Sequence, residues 1–167
     1  FDFPFGDILS DKAALSKFAA AINDFSPDCL FLPFLFDDHD EHRLLSDFLW
    51  LAEKNNLLEN TAVEVWAYQV YTALIPNVVV DISAQADEKA AAMRSYVSQN
   101  KSRDWAHYIL GLNAFNTRFI DTPGAPKYVE AFFVLPLKDY VELCAVYFKR
   151  AGTVYYSDHY ANRISGR

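Results

Sequence analysis

A chain of 167 residues with 52% apolar and 16% aromatic content can bury a substantial core in one domain, which excludes a disordered polypeptide. Its formal net charge of −7 argues against a general nucleic-acid binder, because phosphate affinity requires clustered lysine and arginine. No apolar stretch reaches the length of about 18 residues that a bilayer crossing requires, so no transmembrane segment is expected.

The chain opens with Phe1-Asp2-Phe3-Pro4-Phe5-Gly6-Asp7, which reads as the end of a strand and a turn. A domain truncated at its amino terminus is therefore expected, with any targeting segment lying before Phe1. From Ser10 to Phe25 apolar residues recur at helical spacing, at Ala14, Leu15, Phe18, Ala21, Ile22 and Phe25. Ser10 is the expected N-cap, and Pro27 stands just past the end.

Cys29 to Phe36 is continuously apolar, the pattern of a parallel strand covered on both faces, and Pro33 predicts that pairing ends near it. A second amphipathic helix is expected over residues 40 to 56, ending at Asn55-Asn56. Val63 to Tyr71 and Val78 to Ile82 carry the β-branched and aromatic residues of strands. Trp66, Tyr68 and Tyr71 are expected to pack on the two sheet faces.

Ser83 is the expected cap of a helix running to about Ser98, and another helix is expected from Arg103 to Phe115. Pro123, Gly124 and Pro126 mark a loop before a strand over Tyr128 to Val134. With no internal repeat or low-complexity linker, this alternation predicts one α/β domain over residues 1 to 167.

Asp37-Asp38-His39-Asp40-Glu41-His42-Arg43 follows the first apolar strand directly and opens the second helix. Ligands in open α/β sheets bind at the carboxyl ends of strands, so this junction is where chemistry is expected. Histidines three positions apart project about 60° from each other around a helix and can face one site. A capping box offers a competing explanation, since Asp38 and Glu41 have Asp-x-x-Glu spacing and acidic groups suit a first helical turn. Capping accounts for carboxylates but not for His39 and His42.

Cys29 and Cys144 lie in apolar runs without Cys-x-x-Cys spacing and read as two buried free thiols in a reducing compartment, which suggests the cytoplasm. Lys89 is expected in an ion pair, and His107 reads as a solvated or hydrogen-bonded side chain. Ser98-Gln99 reads first as helix capping. His159 lies in an aromatic and polar segment near the end of the chain that could line a ligand site or form a tail. Glu130 stands alone among apolar neighbours and must reach solvent or meet a cation.

Taken in order, these features resemble the carboxyl-terminal part of the LmbE-like or PIG-L family of zinc-dependent de-N-acetylases. Asp37 to Arg43 resembles the family's His-Pro-Asp-His-Arg box, and Tyr128-Val129-Glu130-Ala131-Phe132 resembles its Tyr-x-Glu-x-Phe stretch. Between them stand Val65 to Val70, Pro76 to Ser83, Lys89 and Tyr96-Val97-Ser98-Gln99. The resemblance covers about residues 1 to 135 and leaves 136 to 167 as a carboxyl-terminal extension.

The resemblance implies a Rossmann-like layered α/β fold with a mostly parallel sheet. It also implies that His42 is a zinc ligand and that His39 is the catalytic histidine which stabilises or protonates the tetrahedral intermediate. Glu41 stands where the family has an aspartate that orients this histidine, and Asp40 replaces a proline. Asp38, Arg43 and Glu130 are candidates for substrate contact or for support of the site.

The family's other zinc ligands and its catalytic base lie in a His-Pro-Asp-Asp box that these 167 residues do not contain, so the resemblance puts them upstream of Phe1. Catalytic zinc commonly takes three protein ligands and one open position. The implied reaction is hydrolysis of an N-acetyl amino-sugar conjugate by zinc-activated water, giving acetate and a free amino sugar. The alternative is a non-catalytic carbohydrate- or ligand-binding relative that has lost its metal.

Overall fold

The computed structural model describes residues 12–121 and 123–148. These contain five helices, α1 (Lys12–Phe25), α2 (Asp40–Lys54), α3 (Ala86–Ser95), α4 (Trp105–Asn116) and α5 (Leu137–Phe148). Four strands, β1 (Cys29–Pro33), β2 (Glu64–Tyr68), β3 (Val78–Asp81) and β4 (Val129–Pro136), form a sheet in the order β1-β2-β4-β3. The class is mixed α/β. No helix among the described residues is long and apolar enough to cross a membrane.

The sheet is mixed, not mostly parallel. β1 and β2 are parallel, with Cys29 opposite Glu64 and Pro33 opposite Tyr68, whereas β3 runs antiparallel to β4. Strand direction depends on pairing across the chain, which the apolar pattern of a single strand does not encode. The chain divides into two compact units, one comprising residues up to 75 and from 133 onward, the other residues 76 to 132.

In the first unit, α2 carries the chain from β1 to its parallel neighbour β2. Leu32, Val65 and Ala67 on one face of this pair are buried with Leu49, Ala52, Leu137, Tyr140, Val141 and Cys144. The opposite face carries Cys29, Phe31, Glu64 and Trp66, and Phe31 remains 60% exposed against the Trp66 ring. The expectation of two covered faces and two buried thiols therefore fails at β1, which lies at the edge of the sheet among the described residues and exposes Cys29 and Phe31; Cys144 is buried.

Asparagines end α2 as their spacing predicts. Asn56 has φ of 53°, and the Asn56 and Leu57 amides return to the Glu53 and Ala52 carbonyls, closing the helix in a left-handed turn. Ser10, the expected cap of α1, lies outside the described residues, as does His159. Leu137 donates its backbone amide to Val63 O at 2.8 Å, so the segment expected only as an extension begins by docking a helix into the core.

In the second unit Val80 of β3 faces Glu130 of β4, and the Asn113 side chain of α4 donates to Val129 O at 3.0 Å. Ser83 does not cap a helix. Its Oγ accepts the Lys127 and Tyr128 amides, and α3 starts at Ala86 after a short 3-10 turn. The ordinary cap falls instead at Asp104, whose carboxylate accepts the His107 amide at the start of α4.

Candidate functional site

A tight turn ends the apolar segment after β1, with the Asp37 amide donating to Phe34 O at 2.9 Å. Leu35 and Asp37 are turned inward, at 0% and 1% exposure, and His39 becomes the N-cap of α2. Its carbonyl accepts the His42 and Arg43 amides, fixing the first helical turn. The capping box predicted for Asp38 and Glu41 does not form: the N-cap is His39, and its side chain makes no capping bond.

His39 and His42 do come together. Their ring centroids lie 4.8 Å apart, and the Tyr71 ring lies parallel to His42 at 5.5 Å and within 6.1 Å of His39. His39 is exposed, whereas His42 keeps 27% side-chain exposure. The three rings form a half-open aromatic and imidazole surface at the amino-terminal end of α2.

Asp37 lies beneath it. Its Oδ1 is 2.9 Å from His42 Nδ1 and accepts the His39 amide at 3.1 Å, while Oδ2 accepts the Tyr71 amide at 3.0 Å. A carboxylate at a helix amino terminus also meets the positive end of the helix dipole. Tyr68, at the end of β2, has its phenol pushed above the ordinary range by burial and then by the charge of Asp37.

The sequence marked Asp37 only as one acid among four. Its position at the close of a turn after an apolar strand was the available signal, and Tyr71 gave none, being 34 residues away from the carboxylate it meets.

The other candidates divide. Asp38 is half-buried, and its Oδ1 is a buried oxygen with no hydrogen-bond partner among the described residues. Glu41 is exposed, and no hydrogen bond joins it to His39 among the described residues. Arg43 points its guanidinium at α5, donating from Nη1 to the Tyr147 hydroxyl at 3.2 Å. Glu130 belongs to the second unit, where Lys89 Nζ forms an ion pair with its Oε1, so of solvent and a cation it meets the cation while staying partly exposed.

Neutral imidazole and an unsatisfied carboxylate oxygen are suitable donors for zinc, so His42 and Asp38 fit such an ion chemically. No group of three or more His, Cys, Asp or Glu able to hold a metal occurs among the described residues. Further ligands would have to come from outside them.

No family model matches the chain. No curated protein matches it either. Among solved structures it is similar to the conserved protein TT1542 from Thermus thermophilus, with a TM-score of 0.63 and 24% sequence identity. The match covers 80% of this chain and 64% of that one, so the chain spans less than two thirds of that protein's length. That likeness shows the fold.

Proposed function

We propose that this chain is part of a zinc-dependent hydrolase that removes the acetyl group from an N-acetyl amino sugar or its conjugate. The observation that carries the reading is the meeting of His39 and His42 at the strand-to-helix junction, with Asp38 Oδ1 buried and without a hydrogen-bond partner among the described residues. A capping role explains neither the paired rings nor the orphaned oxygen. The Rossmann-like layering belongs to the same proposal and draws support from the parallel β1–α2–β2 unit. A cytoplasmic location is its corollary, supported by two free cysteines.

His42 would hold the metal through a ring nitrogen, and Asp38 would offer a carboxylate oxygen of a type that zinc accepts. Zinc, when bound, supplies the Lewis acidity that makes water a nucleophile near neutral pH. His39, more exposed and adjacent, would give a ring proton to the oxyanion or to the departing nitrogen. Tyr71 offers an aromatic wall against which the apolar face of a sugar ring could rest. Glu41, exposed and two residues beyond His39, would act through His39 by orienting its ring.

The test is zinc content and acetate release from N-acetylglucosamine conjugates, measured on the full-length protein. His42→Ala should lose zinc, and His39→Ala should keep zinc while losing turnover by about 10²-fold or more. Unchanged turnover in both variants refutes the reading. Sugar binding without zinc or acetate release would instead favour the non-catalytic relative.

A further inference from the structure

We infer that Asp37 is the positioning residue of this site, selecting the tautomer of His42 so that Nε2 is the donor offered to a metal. The inference rests on the proposed role of His42 as a zinc ligand. Its basis is geometric: Asp37 is 1% exposed, and its Oδ1 lies 2.9 Å from His42 Nδ1. An ionised carboxylate only accepts hydrogen bonds, so Nδ1 must carry the proton in this contact. In a neutral imidazole that leaves the lone pair on Nε2, on the far side of the ring.

The same carboxylate is itself held in place. Oδ1 also accepts the His39 amide at 3.1 Å, and Oδ2 accepts the Tyr71 amide at 3.0 Å. The carboxylate plane is thereby fixed by the backbone on both sides, and the His42 ring packs against those of His39 and Tyr71. Rotating His42 to present Nδ1 would break a charge-assisted bond and disturb both ring contacts. Asp37 thus sets three things together: the His42 proton, the start of α2 and the location of the Tyr71 backbone. Metal-binding histidines generally donate their second ring N–H to a carboxylate, a backbone carbonyl or water, and loss of that partner commonly costs about 10- to 100-fold in metal affinity or activity.

The discriminating variant is Asp37→Asn. It is isosteric and its oxygen can still accept a backbone amide, but its NH2 group, turned to His42 Nδ1, would donate and so favour the Nε2–H tautomer. Long-range proton–nitrogen NMR of the histidine rings in metal-free full-length protein, recorded with imidazole neutral, reads this directly. Wild type should show His42 as Nδ1–H, Asp37→Asn should shift it towards Nε2–H, and the variant's zinc dissociation constant should rise about 10- to 100-fold.

An Nε2–H tautomer in wild type overturns the inference even if the variant does not fold. So does a folded Asp37→Asn protein that binds zinc within twofold of wild type. Failure of wild type to take up zinc would bring down the proposed function instead, and the tautomer in the metal-free protein would still decide whether Asp37 positions His42.

Discussion

Ser46 Oγ and Tyr140 Oη lie 2.8 Å apart with both residues at 0% exposure, joining α2 to α5 through a hydrogen bond inside the core. Burial pushes the Tyr140 phenol well above its ordinary range, against smaller opposing effects of hydrogen bonds from Ser46 and the Leu35 backbone. The hydroxyl therefore stays protonated at any ordinary pH. Leaving a buried polar group unsatisfied costs about 1–3 kcal/mol, more than the net worth of a typical hydrogen bond. Tyr140→Phe should lower unfolding stability by about 1–3 kcal/mol and Ser46→Ala by somewhat less, since Tyr140 also serves Leu35. Urea unfolding of both single variants and the double variant tests the coupling: the double loss should be smaller than the sum, and strict additivity would sink it.

Asp47, the next residue along α2 after Ser46, makes stability depend on pH. Burial raises its carboxyl from 3.8 to about 6, with Arg43 opposing the shift. The folded state thus holds this proton more tightly than the unfolded state. Its stabilising contribution is complete below about pH 4 and is lost as pH rises through about 6. Asp47→Asn should match wild type near pH 4 and exceed it near pH 8 by about 1 kcal/mol, a figure discounted for solvent screening and for the lost attraction to Arg43. Urea midpoints of both proteins at the two pH values provide the check. An advantage that is equal at both would assign the effect to something other than titration.

Local order was legible where the signal was local. The apolar period of α1 and α2 and the asparagines closing α2 all correspond to observed structure. Pro33, lacking an amide donor, is the last residue of β1. What escaped depended on distant partners. Ser83 looks like a cap until the Lys127 and Tyr128 amides are brought to it from more than 40 residues away.

Phe31 and Cys29 look buried until β1 takes the edge of the sheet. The His39–His42 pair was visible as spacing, but Asp37 could be separated from its acidic neighbours only by the turn that buries it. α5 lies in the segment expected only as a carboxyl-terminal extension, beyond the reach of the family resemblance. Leu137, Tyr140, Val141 and Cys144 stand at helical spacing, and the fold buries them against the core.

The Lys89–Glu130 ion pair in the second unit is partly exposed on both sides, at 22% and 33%. Solvent-exposed pairs typically contribute about 0.2–1 kcal/mol, so Glu130→Gln should destabilise the protein by less than about 1 kcal/mol. Under the proposed deacetylase reading, a Glu130 that serves only this pair leaves acetate release by the full-length protein unchanged in the variant. A fall in turnover of tenfold or more with an unaltered urea midpoint would instead make Glu130 a supporting residue of the proposed site.

The two cysteines should differ sharply in reactivity. Cys29 is exposed on the edge strand, whereas Cys144 is fully buried on α5, and burial followed by the nearby Asp47 charge pushes its thiol up to about 12. Thiolate is the reacting species, so at pH 8 Cys144 is both inaccessible and protonated. A chromogenic disulfide reagent should therefore modify one thiol per native chain quickly and the second only after denaturation. Cys29→Ser should abolish the fast phase, while Cys144→Ser should leave it intact and remove the denaturant-dependent phase. Rapid labelling of Cys144 in the Cys29→Ser protein without denaturant would mean that α5 opens away from α2 under native conditions. The Ser46–Tyr140 bond would then have to break in the same motion, so Tyr140→Phe should accelerate that labelling if the two helices separate as a unit.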